Sequence, residues 1–238
     1  ERPMTSRERV LKAVHFEPPD RVPIDLGAFR ATGINAVVYD ALKKRLGIGT
    51  PTKIHDTMQL LAEVEPEVLD RVHGDVLPLD IIDAGWVRQP AAAGVARRLF
   101  CGLEVYFPPG TNITEEPDGS WAQRRPGGEL FARMPKDGLY FDFDTPTMAT
   151  AGIDPDAYQP SGDVSDEQLD VVAAHARYLD ENTDKAILGW GPTISYLGLS
   201  ALISANITQG SLDGWLMMLM GEKNAAHDMM ARGVDAAI

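Results

Sequence analysis

The chain has 238 residues, 44% of them hydrophobic and 24% charged, a composition that excludes a disordered chain and fits a globular one. Its 35 acidic residues against 22 basic ones give a formal charge of −13, which excludes the basic footprint of a nucleic-acid binder. No apolar run reaches the roughly 20 residues of a membrane span, no signal core opens the chain, and Cys101 is the lone cysteine; the expectation is a cytoplasmic protein with no membrane partner.

In chain order, Thr5-Ser6-Arg7-Glu8 is a capping box that starts a helix carrying Val10, Leu11 and Val14, and Pro18-Pro19 stops it. The run 21–27 (Arg-Val-Pro-Ile-Asp-Leu-Gly) reads as a buried strand opening into a loop. A second helix is expected from Thr32-Gly33-Ile34 to Gly47, a C′ glycine. Residues 56–71 read as helical, with Pro66 marking a break or a fresh start. The run 74–82 reads as another buried strand.

From about 84 to 148 the texture changes, with glycine or proline every few residues and short aromatic or β-branched runs. Residues 120–134 read as a hairpin and 139–143 as a further strand, so this region is expected to be a β-rich insertion. Cys101, beside Gly102, reads as a small core residue. Ser165-Asp166-Glu167-Gln168 is a second capping box, 185–192 another strand ending in a glycine-flanked loop, and 194–206, 211–220 and 222–238 three helices. Met217, Met218 and Met220 read as a helix core or a partner-facing patch.

Strands alternating with helices imply an α/β fold with a parallel sheet, and the absence of a P-loop or dinucleotide fingerprint leaves nucleotide-binding versions without support. Three central strands fall short of the eight of a closed barrel, which needs about 250 residues without insertions.

Several stretches resemble the uroporphyrinogen decarboxylase superfamily: 5–13 (Thr-Ser-Arg-Glu-Arg-Val-Leu-Lys-Ala) with 19–25 (Pro-Asp-Arg-Val-Pro-Ile-Asp), Arg30-Ala31-Thr32-Gly33-Ile34, 56–63, and 189–196 with its Gly-Trp-Gly-Pro run and following Tyr196. The resemblance implies a (β/α)8 TIM barrel of the uroporphyrinogen-decarboxylase type, covering 1–238 as a single partial domain that carries the insertion. Either a C-terminal segment or a second chain completes it, or the chain is a naturally shortened form. It also implies one of two chemistries. The decarboxylases hold a tetrapyrrole with an arginine-rich loop after the first strand and an aspartate on the pyrrole nitrogens. Here that loop, 26–33, holds only Arg30, and one guanidinium cannot pair with several carboxylates. The other branch moves a methyl group from a small substrate to a corrinoid protein, using zinc held by a His-x-Cys and a distant Cys. Arg30-x-Thr32-Gly33-Ile34 and the Trp121 hairpin look nearer to that branch. No His-x-Cys occurs here, so the zinc ligands are expected outside this chain. A non-catalytic half-barrel is the reading from another class.

Asp25 stands at the end of the first expected strand, where it either faces the barrel mouth or caps the loop. Asp80 and Asp83 flank Ile81-Ile82 and either do acid–base work or cap a turn. Arg30, with Thr32, binds a substrate carboxylate or a backbone carbonyl. Trp190 and Tyr196 line a pocket or fill the core. The five histidines are scattered, without the clustering a metal site needs.

Overall fold

The computed structural model describes residues 2–79, 95–99, 101–108, 110–125, 127–143, 165–189 and 212–235. The fold is mixed α/β. Described residues within 1–79, 89–144 and 178–188 form one compact unit, and those within 145–177 and 189–238 a second.

In the first unit the Thr5 hydroxyl accepts the Glu8 N–H and the Glu8 carboxylate accepts the Thr5 N–H, closing the expected box on α1 (Ser6–Val14). The run 21–27 is not a strand. Pro23 has no N–H to give, and the run makes a single ladder-like contact, from the Asp75 N–H to the Ile24 carbonyl at 2.7 Å. α2 (Ala36–Leu46) starts later than expected, because Asn35 caps the Val37 N–H and residues 30–32 form a separate 3-10 turn. It ends at Gly47, whose φ of 76° takes the left-handed position foreseen for it.

The helix expected over 56–71 is mostly absent. β1 (Thr52–Asp56) turns sharply into β2 (Leu61–Ala62), and only α3 (Pro66–Arg71) is helical, with proline in its first turn. The apolar stripe that suggested a helix is instead the inside of this turn, where Leu60, Leu61 and Ala62 are buried. Sheet pairing to a distant strand overrides local preference here. Behind it, Tyr39 of α2 is buried, donates its hydroxyl to Glu65 and accepts the Glu65 N–H. The buried Lys43 ammonium reaches the Thr50 carbonyl at 2.7 Å and Glu65 at 3.1 Å, so its charge is paired.

β3 (Val76–Leu79) falls within the strand expected over 74–82. Then come β4 (Val95–Arg98), β5 (Glu104–Phe107), β6 (Ile113–Glu115), β7 (Trp121–Arg124), β8 (Leu130–Met134) and β9 (Asp142–Phe143). One sheet has the order β2-β1-β5-β4, with β5 parallel to β1; a second is the antiparallel meander β6-β7-β8-β9, which contains the expected hairpin. Both sheets feed one core, where Ile54, Val105, Phe107, Ile113, Trp121, Met134 and Phe141 pack with Tyr39 and Leu60. Cys101, expected inside, is exposed in the tight turn between β4 and β5.

β10 (Ala186–Gly189) pairs with β3 in a two-stranded sheet, so the run 22–24, β3 and β10 lie side by side. No sheet among the described residues closes into a barrel. α4 (Asp166–Asn182) begins at the second expected cap and belongs in part to each unit. The second unit also holds α5 (Leu212–Gly221) and α6 (Lys223–Asp235), packed through Met218, Ala226 and Met229 while Met217 and Met220 are exposed. The helix expected over 194–206 lies outside the described residues. No described helix is long and apolar enough to cross a membrane.

Candidate functional site

Two polar constellations flank Ile24, one gathered on Asp75 and the other on the loop that follows Ile24. Just before β3, Asp75 is fully buried and accepts hydrogen bonds from Arg9 at 2.7 Å, from both Arg21 terminal nitrogens at 2.7 and 2.9 Å, and from the Ile24 N–H at 2.8 Å. Burial alone would raise this carboxyl, but the donors of Arg21, Ile24, Ser6 and Arg9 outweigh it and hold the group at about 2. Arg9 also grips Asp20 through two nitrogens, at 2.6 and 2.8 Å, and this pairing raises the affinity of its guanidinium for protons. Arg7 reaches Asp180 and the Lys185 and Thr183 carbonyls, while Lys185 reaches the Gly74 carbonyl at 2.8 Å. These contacts tie α1 to the starts of β3 and β10.

The second constellation is the loop 25–33, which begins directly after Ile24. Asp25 accepts the Ala28 N–H at 3.0 Å, an Asx-type loop cap. The Thr32 hydroxyl accepts the Phe29 N–H and donates to the Phe29 carbonyl, so it braces the turn from within. Gly27 gives its N–H to the Thr32 carbonyl at a φ of 84°, and a Cβ there would stand 2.5 Å from a Val64 methyl; the loop closes only around glycine. Arg30 projects from this frame, 53% exposed, and donates its Nε–H to Asp56 at 2.8 Å, whose side chain is 5% exposed. Asp56 also accepts the Gln59 N–H at 2.9 Å. Beside it, Thr57 accepts from the Gln123 amide of β7 at 3.4 Å, which joins the hairpin to this corner.

The structure therefore brings Arg30 and Thr32 onto one loop with Asp25, and it gives Arg30 an anchor that the sequence reading did not foresee. A guanidinium fixed through its Nε has its planar fork oriented, which suits recognition of a single carboxylate. Asp80, Asp83, Trp190 and Tyr196 lie outside the described residues. Asp56 went unnoticed because its segment reads as helix; Asp75 was missed although Arg9 and Arg21 both needed a counter-charge. Among the described residues no three His, Cys, Asp or Glu side chains gather as a metal requires. No known protein family, curated protein or solved structure matches the chain.

Proposed function

We propose that the chain is a uroporphyrinogen-decarboxylase-type barrel protein working as a methyltransferase component, which passes a methyl group from a small methylated or methoxylated substrate to a separate corrinoid protein. The observation that carries this reading is the loop 25–33, which follows a segment laid beside β3 and β10 and holds one arginine against a buried carboxylate. Consecutive segments side by side, with polar residues on the loops after them, are the arrangement from which barrel enzymes build sites. One oriented guanidinium suits a substrate with one acid group; a tetrapyrrole with eight would need several. On this reading Arg30 binds and orients the substrate. The roles expected of Asp80, Asp83, Trp190 and Tyr196 fall on residues outside the described ones and add nothing to this reading.

The test is anaerobic incubation of the chain, together with zinc and the segment or second chain that completes the barrel, with reduced cobalamin and a panel of methoxylated aromatic acids and methylated amines, reading methylcobalamin by absorbance and mass. Methylation is expected for an acid-bearing substrate, with Arg30→Gln raising its KM by about tenfold or more, the effect of losing a charge-assisted contact. Conversion of uroporphyrinogen to coproporphyrinogen without methyl transfer would overturn the reading in favour of decarboxylation. Inactivity in both assays would favour the non-catalytic half-barrel.

A further inference from the structure

Asp56, which holds the Arg30 guanidinium, ends β1 and leads into the turn 57–60. The turn is strained where it enters β2, because the fully buried Leu60 takes a φ of 50°. Its first three residues are each gripped by groups distant in the chain. Thr57 receives the Gln123 amide of β7 at 3.4 Å, and the Met58 carbonyl accepts the Phe141 N–H at 2.6 Å, just before β9. The Gln59 carbonyl accepts the Asn35 amide at 3.2 Å, and the same amide reaches the Leu139 carbonyl at 2.9 Å. All three ties lead to the meander β6-β7-β8-β9 or to the segment that enters its last strand. Gln59 then gives its own N–H to Asp56, which closes a path from the meander to Arg30.

Gln123 is an expensive way to make such a tie. It lies opposite Ile113 and Ala132, both buried, so it stands on the core-facing side of the meander. Its Oε1 is buried and has no hydrogen-bond partner among the described residues. An apolar side chain there would strand no oxygen. What the amide supplies in return is the contact to Thr57, the residue next to Asp56.

We propose that the meander is the positioning element of the Arg30 site. Through Gln123, and through Asn35 bound to Leu139, it fixes the turn 57–60 and thereby the carboxylate that orients the guanidinium. Gln123 and Asn35 are positioning residues, which act on a substrate through Asp56 and Arg30 and do not touch it. The inference rests on the reading of Arg30 as the group that binds a substrate's acid. Arg30 is 53% exposed on a long stem, so the carboxylate that holds its Nε sets the plane of its fork. A fork turned out of plane loses the paired contacts that recognise a carboxylate.

Heteronuclear NMR of the 238-residue chain tests the positioning without any substrate. The Arg30 Nε–H resonance is identified by its loss in Arg30→Gln. Two variants cut separate ties: Gln123→Leu removes the amide, and Asn35→Asp keeps the cap acceptor of α2 but gives up the donors to Gln59 and Leu139. Each should speed exchange of the Arg30 Nε–H by about fivefold, the weight of one hydrogen bond. The Arg9 Nε–H, paired with Asp20 at 2.6 Å outside the meander, should exchange as in the wild type. Titration with para-methoxybenzoate reads the consequence. The wild type should bind it with a shift of the Arg30 resonance, both variants should bind about fivefold more weakly, and Gln123→Leu should change nothing once Arg30 is Gln. Unchanged Arg30 exchange in both variants, or Arg9 and Arg30 speeding up together, would overturn the proposal. A wild-type Arg30 resonance that ignores para-methoxybenzoate would instead overturn the acid-binding reading, while the exchange rates still decide the positioning.

Discussion

Replacing Asp75 by asparagine keeps the shape of the side chain and removes its charge, leaving Arg9 and Arg21 without their shared counter-ion in a site that excludes water. Breaking one side of a buried ion pair costs about 3–5 kcal/mol, because the remaining charge is stranded. Arg21 is partly exposed and Arg9 keeps Asp20, so the lower end, about 3 kcal/mol at pH 7, is expected. The pH dependence gives a second handle. Asp75 is held at about 2 against an ordinary 3.8, a depression worth roughly 2 kcal/mol at 1.36 kcal/mol per unit. For a depressed carboxyl that stability is fully present above pH 4. As the pH falls from 4 towards 2, the unfolded chain binds the proton first and the contribution disappears. Urea titrations followed by circular dichroism at pH 7, 5, 4 and 3 measure both quantities. The wild-type advantage over Asp75→Asn should be largest at neutral pH and shrink below pH 4. A loss of less than about 0.5 kcal/mol at pH 7, the ordinary effect of a surface substitution, would refute the claim that this network fastens α1 to β3 and β10.

Two further substitutions test the loop 25–33. Gly27→Ala combines a left-handed φ with a Cβ 2.5 Å from Val64 and should destabilise the chain by about 2 kcal/mol, read as a lower urea midpoint. Asp56→Ala takes away the acceptor of both the Arg30 Nε–H and the Gln59 N–H, and should cost about 1–3 kcal/mol and speed hydrogen exchange at the Gln59 amide. A Gln59 amide that stays protected would mean that the turn holds without Asp56.

Much of the fold was legible where a local rule and the tertiary structure agree. Thr5 and Glu8 specify their cap within four residues, Gly47 sits where only a left-handed residue closes α2, and the run expected as a strand over 74–82 holds β3 at Val76–Leu79. The failures occur where distant partners decide. Residues 56–65 show a helix-like stripe, but Thr52–Asp56 is drawn into a sheet by β5, far along the chain. Residues 21–27 look like a strand by composition, yet Pro23 limits what that backbone can donate to a neighbour. The site was legible only in part for the same reason. Arg30 stands out in its loop because it is the single cation there, whereas Asp56 and Gln123 acquire meaning only when β1 and β7 are folded near that loop.

The parallel pairing of β1 with β5 carries a kinetic consequence. Thr52 lies opposite Val105 and Lys53 opposite Tyr106, partners about fifty positions apart in the chain, and such contacts form slowly because the intervening loop must close first. Until β5 emerges and docks, a growing chain holds β1 with one edge open and Ile54 without Val105 and Phe107 around it. That interval is the time at which the nascent protein is most prone to pair its exposed edge with another chain.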